Sequence, residues 1–184
     1  MNTPEESLAY PEGVADVGII VVACFENPLK EYGIAFLSDA LSQKKRVILP
    51  ISAVIGAYHI ATTYLKASKV EVKKVLAGLL ATKSPALYPQ ITTEIASNAL
   101  EYATYYNIES WDGYLVALAK ILGASALYSL DKQLSKIKEI TVINPFPEEA
   151  VKKYHTFLKN SLLKTYSWVS HKTGQKPNTA PIFA

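Results

Sequence analysis

Apolar and polar positions alternate along the chain in two textures: short apolar runs and longer stretches of helical period, the pattern of strands interleaved with helices. Asn27-Pro28 opens a helix, with Asn as N-cap and Pro in the first position. Leu29, Tyr32, Phe36, Leu37, Ala40 and Leu41 then share one face. Arg46 to Leu49 is a short apolar run before Pro50 and reads as a strand. Ser52 is placed to cap a second, almost wholly apolar helix that reaches Leu65. Ser68-x-x-Glu71 forms a capping box ahead of a stripe of Val72, Val75, Leu76, Leu79 and Leu80. Pro85 and Pro89 break the chain, and Ile91, Ile95, Ala99 and Ala103 mark a further helix that Asn107 ends.

The stretch from Tyr114 to Leu122 is apolar all round, which predicts a buried helix with Gly123 as its C-terminal stop. Ala124 to Leu130 and Glu139 to Ile143 are strand candidates separated by a lysine-rich turn. Pro147-Glu148-Glu149 starts a last helix, acids at its positive end, reaching Val169. Short apolar strands between helices predict an α/β fold, with a central parallel sheet of about four or five strands covered on both faces. The expected organisation is a loose arm over residues 1–12, the domain proper over 13–146, a C-terminal helix over 147–169, and a tail over 170–184 that is loose or docked on a partner chain. In such sheets ligands sit beyond the carboxyl ends of the strands, so chemistry is expected on residues that follow strands.

Composition narrows the class further. At 184 residues and 49% hydrophobic, the chain supports one sizeable core and excludes general disorder. The lone Cys24 excludes an intramolecular disulfide framework and a cysteine-built zinc site, and reads as a small core residue. The longest uninterrupted apolar run, Ile19 to Phe25, is too short to cross a bilayer, and the acidic start MNTPEESLAYPEG carries no signal-peptide stretch. The expectation is a cytoplasmic protein without a membrane partner. A net charge of +3 permits a polyanion partner without demanding one, because the lysine clusters read first as solvated faces.

Nucleotide-binding glycine motifs, H-E-x-x-H and G-x-S-x-G are all absent, and the three histidines are scattered. The aspartates carry more. Asp16 precedes the run Ile19 to Phe25, Asp112 opens the buried helix, and Asp131 follows Leu127 to Leu130. An ionised carboxylate in apolar surroundings is costly unless it is paired or metal-bound. Each has a plain explanation as a cap, an Asx-turn or a dipole partner. Three of them after strands of one sheet converge on one rim, which favours a shared role.

These residues also carry a resemblance. Val-Ala-Asp16, the Glu26-Asn27-Pro28 turn and its helix resemble the opening of a PIN-domain nuclease. Asn107-Ile-Glu-Ser-Trp-Asp112-Gly-Tyr-Leu-Val-Ala-Leu-Ala119 resembles that family's acidic helix start, and Gly123-Ala-x-x-Leu-x-Ser129-Leu-Asp131 its strand end. Val142-Ile-Asn-Pro145 resembles its closing strand, so the likeness spans residues 13 to 146. The resemblance implies an α/β/α sandwich whose acids, Asp16, Asp112 and Asp131, bind Mg²⁺ or Mn²⁺ to hydrolyse RNA phosphodiesters. Hard divalent cations take carboxylate oxygens and can activate water, which agrees with the residues themselves. Ser129 would orient the acid at 131, and Lys132 would steer the RNA backbone. The resemblance also makes Gly18 to Phe25 helical where pattern alone reads a strand, and we follow the resemblance because it sets Asp16 on the rim.

The chain departs from the family pattern on the helix after its second strand. A glutamate is usual there, and Ser52 to Thr62 contains no acid, leaving Tyr58 or His59 in its place. A neutral His59 can ligate Mn²⁺, although a packed core histidine is the first reading. Glu109 and Glu26 are substitute acids, and Gly18 stands where the family often has Ser or Asn. The leading expectation is a metal-dependent ribonuclease, in the toxin role of a toxin–antitoxin pair, with an antitoxin protein as partner and dimeric self-association. The alternative is a PIN-like module that has lost catalysis and binds RNA or assembles with other chains, with Tyr154, Leu158, Leu162 and Trp168 covering either the domain's own sheet or an oligomer interface.

Overall fold

Three consecutive residues, Gly13-Val14-Ala15, are buried completely enough to have a helix layer on each side, and they form the central strand β1 (Gly13–Ala15). The computed structural model describes residues 10–173, with side chains described as far as residue 160. Around β1 stand β2 (Val47–Pro50), β3 (Leu87–Tyr88), β4 (Ala126–Tyr128) and β5 (Thr141–Ile143), all parallel, in the order β3-β2-β1-β4-β5. Val14 is level with Ile48 on one side and Leu127 on the other. Alternate side chains of β1 enter opposite layers, as strand geometry dictates: Ala15 joins one hydrophobic cluster and Val14 the other.

The Ala15 face is covered by α1 (Val17–Val21), α2 (Lys30–Leu41), α3 (Ile51–His59), α4 (Lys69–Ala81) and the first half of α7 (Glu148–Thr173). The Val14 face is covered by α5 (Thr93–Tyr106) and α6 (Ser110–Ile121). The protein is therefore an α/β/α sandwich with an added C-terminal helix, the class expected from the sequence.

Local chemistry explains most element ends. Ser68 accepts a hydrogen bond from the Glu71 N–H and caps α4, and Thr92 does the same for α5 through the Ile95 N–H. Asn107 closes α5 in the left-handed region at φ 51°, and Gly123 follows α6 at φ 67°. The apolar run after Asp16 is helical, α1 followed by a 3₁₀ turn at Val22–Cys24, because Asp16 caps it. Cys24 is buried there, its thiol donating to the Ile20 carbonyl.

Four details differ from expectation. The helix expected at Asn27-Pro28 starts at Lys30; Asn27 instead builds the preceding turn, accepting from the Leu29 N–H and donating to the Val22 and Phe25 carbonyls. Ser52 is no cap, since α3 begins at Ile51 behind Pro50, and its hydroxyl donates to the Tyr114 hydroxyl at 3.2 Å. The strand β3 was not among the expected strands, as two residues beside a proline carry no period. The last helix runs to Thr173, past the expected end at Val169.

Within α7, Tyr154 and Leu158 are buried in the domain's own cluster, so this part of the stripe covers its own sheet; Leu162 and Trp168 lie beyond the described side chains. Of the expected loose arm, residues 1–9 lie outside the described residues, while Glu12 donates its N–H to Arg46 and accepts from Ala126 and Ser125 through its carbonyl. Residues 174–184 of the expected tail also lie outside the described residues.

The tightest helix contact is between α5 and α6. A Cβ added at Gly113 would sit 2.1 Å from the Ala99 carbonyl oxygen, so only glycine lets the two backbones meet. Gly113→Ala is expected to cost about 1–3 kcal/mol by forcing these helices apart, lowering the melting temperature by roughly 3–10 °C in a circular-dichroism melt. An unchanged melt would show that the helices separate freely.

Candidate functional site

The order of the strands places one point of the sheet apart from the rest. The chain leaves β1 toward β2 and leaves β4 toward β5, in opposite directions across the sheet. The carboxyl ends of β1 and β4 therefore flank the switch point, where a crevice opens in a parallel sheet. Asp16 is the residue after β1, and Ser129 is the residue after β4. The parallel ladder extends to them: the Asp16 N–H donates to the Tyr128 carbonyl at 2.9 Å, and the Ser129 N–H to the Ile143 carbonyl at 3.1 Å.

Side chains then close the arrangement. Ser129 is 2% exposed, and its hydroxyl donates to Asp16 Oδ2 at 2.7 Å. The other oxygen, Oδ1, accepts from the Val17 N–H and caps α1. Ser129 also accepts from the Asp131 N–H at 3.0 Å, and Asp131 Oδ1 accepts from the Gln133 N–H at 2.7 Å, capping a 3₁₀ turn at Lys132–Lys136. The expected role of Ser129 is thus corrected: its hydroxyl orients the Asp16 carboxylate and holds only the backbone of Asp131. A donor 113 positions away is invisible to local pattern.

Asp112 reaches the same rim from the first turn of α6. That helix leads within a few residues into the start of β4, so its own start lies at the carboxyl end of the sheet. Burial pushes the Asp112 carboxyl up to about 7, and the negative charges of Asp16, Asp131 and Glu109 push in the same direction. Burial likewise raises Asp16 above the ordinary carboxylate range, opposed by the Ser129 and Val17 hydrogen bonds and assisted by the Asp131 charge. The three predicted aspartates therefore feel one another across the rim, and Glu109 joins them from the residue that precedes α6. Glu26 does not: it is exposed and paired with Lys30.

What stands where the resemblance implies a glutamate can be read from α3. Ser52 meets Tyr114, and a Cβ at Gly56 would lie 3.3 Å from a Val17 methyl, so these two residues mark the face turned to α1 and α6. Tyr58 is two residues on from Gly56, about 200° around the helix, and points away from that face. His59 lies nearer to it in angle, yet it is exposed, with Thr63 Oγ1 3.3 Å from its Nδ1 and Tyr64 edge-on to its ring. The reading of His59 as a packed core histidine is corrected: the buried side here is carried by Ala53, Val54, Ala57 and, just beyond α3, Ala61, and His59 lies on the solvent side. Neither residue supplies a carboxylate.

Among the described residues, no Lys, Arg or His forms an ion pair with Asp16, Asp112 or Asp131. A set of oxygen donors with uncompensated, mutually repelling charge suits a hard divalent cation in its chemistry. Its spacing is open: among the described residues, no three His, Cys, Asp or Glu side chains form a group that could hold an ion as they stand. A scan against protein-family models returns no match, and neither does a search of curated proteins. Among the described residues, no helix is long and apolar enough to cross a membrane.

The raised Asp112 acidity has a signed consequence. In the unfolded chain this carboxyl titrates near 3.8, and in the fold near 7, so between those values the folded state holds an extra proton. Stability contributed by the protonated form is therefore lost as pH rises through that window. Asp112→Asn removes the charge, and after allowance for solvent screening it is expected to add about 1–2 kcal/mol at pH 8, raising the melting temperature by roughly 2–8 °C. At pH 4 the gain should vanish. Melts of both proteins across this range check it, and a gain independent of pH would contradict it.

Proposed function

We propose that this chain is a PIN-type ribonuclease that hydrolyses RNA phosphodiester bonds with Mg²⁺ or Mn²⁺. The observation that carries the reading is the meeting of Asp16, Asp112 and Asp131 at the switch point of a parallel sheet, none of them ion-paired to a Lys, Arg or His among the described residues. The resemblance of residues 13 to 146 to the family supports it. Asp16, Asp112 and Asp131 would hold the ion, with Glu109 adding negative charge from the rim. When bound, the ion supplies neutralisation of phosphate charge and a more acidic water.

The chain's own residues divide the remaining work. The Ser129 hydroxyl and the Val17 N–H fix both oxygens of Asp16, so one acid is oriented before any ligand arrives. Asp112, titrating near 7, is suited to hold or release a proton at its carboxyl oxygens at neutral pH. Lys132 is exposed next to Asp131 and offers a countercharge to the RNA backbone. The toxin role, with an antitoxin protein as partner and a dimer as the working form, belongs to the same proposal and rests on the family resemblance. Large apolar side chains exposed on α5, Leu100 and Tyr105, give self-association a surface.

A second reading has its own observation. On α3 the face turned to the rim carries Ser52 and Gly56 and no carboxylate, which favours a PIN-like module that binds RNA without cutting it. One pair of measurements separates the two. The nuclease reading expects millimolar Mn²⁺ to raise the melting temperature and to support RNA cleavage that falls at least 100-fold in Asp112→Asn with the fold retained. Cleavage equal in the variant would sink that reading; RNA binding with neither a thermal shift nor cleavage would establish the second.

A further inference from the structure

We draw no further inference here: the strongest candidate, the open groove along α5 lined by Leu100, Glu101, Tyr102 and Tyr105 and, from the segment before β5, Glu139, carries none, because Glu139 is already paired with Lys120 and nothing in the structure shows what covers the exposed Leu100 and Tyr105.

Discussion

The direct pairing of β1 with β4 is the constraint on which this molecule depends. It sets side by side two strands whose chain connections depart in opposite directions, which opens the crevice. It continues one step past the strands, through the Asp16 N–H on Tyr128, and so aligns Asp16 with Ser129. The Ser129 hydroxyl then joins the two strand ends through side chains, and the same oxygen receives the Asp131 N–H. Remove that serine and the first strand's acid, the cap of α1 and the turn after β4 all lose a shared partner.

Electrostatics and packing pull against each other at this rim. Packing demands glycine at 113 so that α6 can lie on α5, and at the preceding position Asp112 stands in partly desolvated surroundings. The fold answers with hydrogen bonds to Asp16 and Asp131, but Asp112 is left near neutrality in its acidity. Burial first, and like charges after it, hold these acids above the ordinary carboxylate range, the mark of a candidate functional site.

What the sequence shows and what it hides divide along contact range. The helix caps at Ser68 and Thr92, the left-handed stop at Asn107 and the buried course of α6 follow from residues within a few positions of one another. The three aspartates were legible because each stands at the edge of an apolar run. Four features were hidden. β3 is a strand only because β2 supplies its hydrogen bonds. Ser52 looks like a cap and serves Tyr114, 62 positions away. Ser129 looked like a partner of Asp131 and serves Asp16. His59 sits in an apolar sequence and still emerges at the surface, since an almost wholly apolar stretch does not say which side of its helix faces the core.

Among the described residues the first strand made is also the central one, and this orders events during synthesis. β1 leaves the ribosome before its neighbour β4, and the hydroxyl that grips Asp16 comes 113 residues after that acid. At typical translation speeds of about 5–20 residues per second, that interval is roughly 6–23 s. Over that time half of the β1 ladder has no partner, while β2 and the helices α1 to α4 can already gather on the opposite side. The acid rim is thus assembled only after the 113 residues between its two halves have been made, and until then a nascent chain carries none of the completed site.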